Sequence, residues 1–188
     1  MRISGLDLWI PADHFLDPAH VDRAVDAVGA TLQLASELER CPVSLELPQP
    51  DDDASLESVI DAISQQAMRV GVQVANHAGP KTALDHFGIG IDPAAHLSRN
   101  EDPAEAVTSS ADRLVSARLC DLLTSGMRGP IGESQGARLD VLSYRVALSV
   151  CGYDRPVVAD VRQWTQPWSG LAQTAQTWSA VMTGDPAE

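Results

Sequence analysis

No run of about eighteen apolar residues occurs in this 188-residue chain, so no segment reads as a membrane-spanning helix. Residues 1–15 hold one basic residue, Arg2, and no apolar stretch of signal-peptide length, which argues against secretion. Positive charge is scarce. Lys and Arg number 13 against 26 Asp and Glu, a net charge of 13 − 26 = −13. Arg113 and Arg118 stand isolated in the sequence, and no basic patch forms. A surface of that sign repels phosphate backbones, so nucleic acid is not an expected partner. Cysteine is sparse and odd in number: Cys41, Cys120 and Cys151 fit no zinc spacing and sit beside apolar residues. They read as reduced, packed thiols, and the expected location is cytoplasmic. No linker or low-complexity segment divides the chain.

What is present is ordinary globular composition, 44% hydrophobic and 21% charged, enough for one domain with a core. Short apolar runs bounded by Pro, Gly and Asp predict strands at 3–10, 43–47, 72–76, 88–92, 115–119 and 156–161. Amphipathic patterns predict helices between them. Asp17-Pro18 reads as an N-cap with proline at the first helical position, opening a helix to about Glu39 on Val21, Val25, Val28, Leu32 and Ala35. Asp51–Asp53 lead acidically into a helix carrying Leu56, Val59, Ile60 and Ile63, which Gly71 ends. Asp102-Pro103-Ala104-Glu105 reads as a capping box for a helix to about Leu114. Asp140 caps a helix with Val141, Leu142, Val146 and Val150, and a last helix spans about 170–182. Gly79-Pro80 marks a loop, 124–136 reads as another, and 184–188 reads as a tail. Strands alternating with helices mean a parallel sheet covered by helices.

Four segments carry a resemblance. GVQVANHAG (71–79), FGIGIDPAAH (87–96), ARLCDLLTSGMRGPIGES (117–134) and GYDRPVVADV (152–161) resemble the fifth to eighth strand segments of the xylose isomerase-like TIM barrels, the sugar phosphate isomerase/epimerase family. The resemblance implies an α/β TIM (β/α)8-type domain over 1–183. It is partial, with about six βα units and the first two missing, so that 3–10 corresponds to the third barrel strand. Two open sheet edges would then invite pairing with another copy of the chain.

The resemblance also implies a divalent metal (Mn, Mg, Co or Zn) at the C-terminal ends of the strands. There it polarises a sugar carbonyl while a carboxylate moves a proton. Transferred residue by residue, the ligand set is incomplete. Asp92 is intact, and His96 matches the nearby His. Asp160 is one methylene shorter than the expected Glu. His77 stands where a Glu is expected, and Arg118 stands where a His is expected, three residues before Asp121. The metal candidates are therefore Asp92, Asp160 and His77, and the catalytic candidates Asp92 and Asp160. Because guanidinium cannot ligate a metal, Arg118 is expected to pair with Asp92 or Asp160, unless it points outward between helices. No tightly bound ion is expected, and Arg118→His with His77→Glu is expected to restore part of the binding. The substrate-binding candidates are His96, Arg128 as a fork donor, and Trp9 as a stacking face. The plainer alternatives are a loop-fixing His, a solvated loop Arg and rim packing. The expected ligand is a small sugar or polyol. Three functions compete: a metal-dependent isomerase or epimerase, a non-catalytic relative that binds a polyol or acts through assembly, and a repair endonuclease, which the acidity opposes.

Overall fold

The computed structural model describes residues 3–48, 54–78, 87–132 and 136–183. In chain order the elements are β1 (Leu6–Asp7), α1 (Val21–Glu37), β2 (Val43–Leu45), α2 (Ala54–Val70), β3 (Val74–Asn76) and β4 (Phe87–Ile91). They continue with α3 (Pro93–Ser98), α4 (Pro103–Ser109), β5 (Leu114–Leu119), β6 (Asp121–Leu122) and β7 (Arg128–Gly129). The chain closes with α5 (Val141–Val150), β8 (Val157–Ala159) and α6 (Pro167–Thr183). Six parallel strands follow the order β1-β2-β3-β4-β5-β8, and β6-β7 form a separate antiparallel pair. Helices alternate with the parallel strands, as the patterning predicts. No helix among the described residues is long and apolar enough to cross a membrane. The chain forms two compact units, Met1–Gly90 with Arg113–Ser116, and Ile91–Asp112 with Ala117–Glu188.

In the first unit, β1, β2, β3 and β4 pair in register, with Leu6 opposite Val43, Val43 opposite Val74 and Val74 opposite Phe87. The apolar stripe of α1 buries Ala24, Val28, Leu32 and Ala35, and α2 buries Val59, Ile60, Ile63 and Ala67. Both pack into one core with Val43, Leu45, Val72 and Val74, which removes the apolar faces from water. Glycine alternates in β4 for a steric reason. A Cβ on Gly88 would meet Val115 Cγ2 and lie 2.7 Å from the Arg113 carbonyl oxygen. A Cβ on Gly90 would lie 2.5 Å from ring carbons of His77.

The second unit is anchored by caps and by one buried phenol. Asp92, Asp102 and Asp140 accept backbone N–H bonds at the starts of α3, α4 and α5, satisfying donors that a helix start leaves open. β5 pairs with β8, with Ala117 opposite Val157 and Leu119 opposite Ala159. The fully buried Tyr144 of α5 donates its hydroxyl to the Arg118 carbonyl at 3.0 Å, tying the helix to β5. Tyr144→Phe is expected to cost about 1–2 kcal/mol, because it leaves that carbonyl oxygen without the phenol. A denaturant midpoint unchanged from the parent would show the bond to be negligible.

Several boundaries differ from the sequence-based ones. β1 is only two residues long, and a 3-10 turn at Ala12–Phe15 follows it. Asp17 does not cap α1. Its carboxylate accepts from Ala19 N and pairs with His20 Nδ1, and the helix starts at Val21. The predicted helix to Leu114 stops at Ser109, because a 3-10 turn at Ala111–Arg113 leads directly into β5. The Asp102 side chain accepts from Ala104 N, an Asx turn in place of the full capping box. Segment 124–136 is not all loop, since β7 lies in it. α6 begins at Pro167, three residues before the predicted start. Trp164 is buried and Trp178 lies under the Arg145 guanidinium, but Trp168 is 85% exposed and packs no core. Gly71, with φ +67°, ends the α2 segment as predicted. Asp51–Asp53, Gly79-Pro80 and the tail 184–188 lie outside the described residues.

Candidate functional site

Three arginines and two aspartates of the second unit meet at strand ends. Asp92 follows β4 directly, Arg118 lies in β5, Arg128 opens β7, and Asp160 and Arg162 follow β8. Arg118 Nη1 donates to Asp92 Oδ2 at 3.0 Å, with both side chains almost wholly buried. This is the ion pair expected for Arg118. Arg128 Nη2 donates to the same oxygen at 2.6 Å, and its Nε lies 3.2 Å from Asp160 Oδ2. Arg162 grips Asp160 as a fork, Nε to Oδ1 at 2.8 Å and Nη2 to Oδ2 at 2.7 Å, and its Nη2 stands 3.7 Å from Asp92 Oδ2.

Local structure explains each placement. Asp92 is fixed twice, because its Oδ1 also accepts from Ala95 N as the N-cap of α3. Arg128 is brought in by the β6-β7 pairing, in which Leu122 sits opposite it, and by its backbone N–H donating to Gln163 Oε1. That pairing is braced by Asp121, whose Oδ1 accepts from Leu122 N, Arg138 N and Leu139 N. Arg162 is turned back by its own N–H, which bonds Asp160 Oδ1 at 3.1 Å.

The electrostatics favour held charge over proton transfer. Burial alone would raise the Asp92 carboxyl, but the guanidiniums of Arg128 and Arg118 and the Ala95 N–H outweigh it and hold the group well below the usual carboxylate range. A general base works best with a pKa near the operating pH, so Asp92 is a poor one here. Cys120, whose Sγ lies 3.6 Å from Asp92 Oδ1, is pushed up by burial and by that carboxylate, and stays a thiol. It offers no nucleophile.

The site candidates from the sequence divide accordingly. Asp92, Asp160, Arg118 and Arg128 come together. Arg128 is an ion-pair partner of both acids, neither solvated nor on an irregular loop. His96 is not on a loop. It lies in α3, and its Nδ1 meets Glu101 Oε2 at 2.8 Å, beside Arg99. Burial lowers its pKa most, and Glu101 counteracts that. His77 follows β3 in the first unit, buried, with its N–H on Leu45 O at 2.9 Å and its ring against Gly90. Trp9 lies in the same unit, two residues past β1, and is 72% exposed. Sequence reading missed Arg162. The signal available was its spacing, since a residue two after an Asp can close an Asx turn back onto it.

The donor set does not fit a metal. Among the described residues no three His, Cys, Asp or Glu side chains are grouped so as to hold an ion, and the two acids of the second unit, Asp92 and Asp160, face arginines instead. The physical reason is charge. Both carboxylates already face permanent cations, and a divalent ion ~4 Å from one guanidinium would meet a repulsion of roughly 8 kcal/mol at an effective dielectric near 20.

No protein-family model matches the chain, and no curated protein matches it by sequence. Solved structures do match in fold. A D-tagatose 3-epimerase-like protein superposes with a TM-score of 0.77 at 13% identity, covering 96% of this chain and 77% of that one. An L-ribulose 3-epimerase gives 0.75 at 15% identity, with coverage of 96% and 75%. A xylose isomerase domain protein from Alicyclobacillus acidocaldarius gives 0.69 at 14%, with coverage of 97% and 78%. Six parallel strands alternating with helices, and superposition over nearly the whole chain, make this the fold of the xylose isomerase-like sugar isomerase and epimerase TIM barrels.

Proposed function

We propose that this chain is a non-catalytic, metal-free relative of the sugar isomerases and epimerases whose fold it shares, and that its strand-end site binds a small polyhydroxylated ligand. One observation carries the reading. Arg118, Arg128 and Arg162 converge on the two carboxylates that the resemblance assigns to the metal and the proton transfer. A site that binds sugar without chemistry needs positioned hydrogen-bond groups and no base of matched pKa. The depressed Asp92 and the protonated Cys120 agree with that requirement. The three free cysteines fit a reducing, cytosolic setting.

The test pairs metal content with chemistry. Protein incubated with Mn, Mg, Co or Zn and then desalted is expected to carry only substoichiometric metal. It is also expected to exchange no solvent deuterium into ketoses or ketose phosphates. Arg118→His with His77→Glu is expected to leave metal content unchanged, because Arg128 and Arg162 still occupy the acids. The sequence alone predicts a partial restoration instead, and the ion pairs of Arg128 and Arg162 are the reason for the difference. A stoichiometric ion with Asp92 among its ligands, or measurable deuterium exchange, would overturn the proposal in favour of a working isomerase.

A further inference from the structure

We propose that the outer face of α5 is the interface of a two-fold dimer of this chain, in which the two copies of α5 pack side by side and point the same way. The inference goes beyond the reading of the strand-end site and uses none of its residues. Its first support is the sequence of the helix. α5 reads VLSYRVALSV, with Arg145 its single charged residue. Tyr144, Ala147 and Leu148 are buried on its inner side. Leu142, Val146 and Val150 are 59%, 50% and 77% exposed, and they lie one turn apart on a single stripe. A helix at the surface of a globular domain is apolar on one side and polar on the other. This one is apolar on both, and three aliphatic side chains in a row form a patch, which solitary exposed residues do not.

The second support is shape. A cleft of about 520 Å³ runs along the stripe between α4 and α5, with Asp102 and Glu105 on its α4 side. Ridges made by residues four apart pack into the grooves of another helix at a crossing of roughly 50°, the commonest class of helix packing. The stripe of α5 is such a ridge, and the cleft beside it is such a groove. Two copies related by a two-fold axis therefore each seat their ridge in the cleft of the other.

The third support is charge, and it names the occupant. The two flanks of the stripe differ in sign. On the α4 side stand the exposed Asp102 and Glu105. On the α6 side stands Arg145, whose Nη1 donates to the Trp178 carbonyl oxygen at 2.8 Å and whose guanidinium lies over the Trp178 ring. A two-fold axis running along α5 turns the second copy so that its α6 flank meets the α4 flank of the first. Each Arg145 then faces the acidic flank of the other copy, and the apolar ridges meet between. An axis running across α5 would set acid against acid. The face is thus complementary to itself in one arrangement, as an isologous interface requires. Charge pairs of this kind fix orientation more than they add affinity, and the apolar stripe supplies the attraction.

The experiment is sedimentation velocity of the full chain between about 1 µM and about 100 µM, the range that resolves a micromolar complex. It is run at physiological ionic strength, where exposed charges more than about 8 Å apart are screened, so that the net −13 on each copy does not mask the contact. A reversible monomer–dimer equilibrium is expected. Val146→Glu is expected to raise its dissociation constant by about tenfold or more, because it sets like charges against each other at the axis. Val146 is exposed and Glu is the better helix former, so the variant is expected to fold, and Val150→Glu serves should it not. Glu105→Gln is expected to weaken the dimer by about two- to threefold. Leu34→Glu, at an exposed apolar position of α1, is expected to dimerise as the parent does. A monomer at every concentration overturns the proposal. So does a dimer that Val146→Glu and Val150→Glu leave unchanged, which would put the contact elsewhere, as on the open strand edges. A Glu105→Gln dimer tighter than the parent's overturns it as well, since acid would then face acid across an axis perpendicular to α5.

Discussion

Asp92→Ala is expected to cost about 4–6 kcal/mol, close to the whole stability of an ordinary domain. The figure has two sources. Removing the acid strips the buried Arg118 of its 3.0 Å partner and Arg128 of its 2.6 Å partner, and breaking a buried pair from one side costs about 3–5 kcal/mol. Loss of the bond from Ala95 N at the start of α3 adds about 1 kcal/mol. Asp92→Asn keeps the shape and the cap while losing the charge, and is expected to cost about half as much. Soluble yield and the chemical-denaturation midpoint of both variants check this. An Ala variant within about 1 kcal/mol of the parent would mean that water already screens the pair.

The same residue gives the protein an acid limit. Burial pushes Asp92 up, and the arginines and the backbone N–H pull it further down, so its folded pKa lies below its unfolded value of about 3.9. A depressed acid contributes stability that is fully present above the unfolded pKa and is lost as pH falls toward the folded one. Stability is therefore expected to hold above about pH 4 and to decline below it, with Asp92→Asn showing a shallower decline in that window. Parallel slopes for the two proteins would contradict the assignment.

Gly88→Val is expected to cost about 3 kcal/mol or more and to lower soluble yield sharply. Even the first added carbon would meet Val115 Cγ2 and approach a backbone oxygen, that of Arg113, to 2.7 Å. A side chain can rotate away from such a contact, but the Arg113 carbonyl is backbone at the end of the 3-10 turn that leads into β5, and it cannot move without shifting the chain there. Gly126→Ala is the comparison. Its φ of +80° is strained for alanine, but nothing lies within 4 Å of the new carbon, so about 1–2 kcal/mol is expected. Equal thermal shifts for the two variants would show that close approach is not what the glycine in β4 provides.

The periodicities fixed the order of elements because each is a local property. The α1 face of Val28, Leu32 and Ala35, the α5 cap at Asp140 and the left-handed Gly71 all follow from neighbouring residues. The four family-like segments pointed to the right fold, and they hold Asp92, Asp160, Arg118 and Arg128, whose side chains the structure brings together. Local rules failed where longer range decided. Asp17 caps a turn and leaves the helix uncapped, because His20 draws its carboxylate. His96 sits in a helix because Asp92, the residue directly after β4, begins one. The β6-β7 pair carries no alternating apolar pattern, so Arg128 read as a loop residue, and Asp121 gathering N–H groups from position 138 and beyond is what orders it. The sequence by itself thus determined the fold class and the presence of a guanidinium where a ligand was expected. Only the tertiary structure decided that three guanidiniums share two carboxylates, because an ion pair between residues 26 to 36 positions apart leaves no trace in any local pattern. Its partners are chosen by which strand ends the fold brings together.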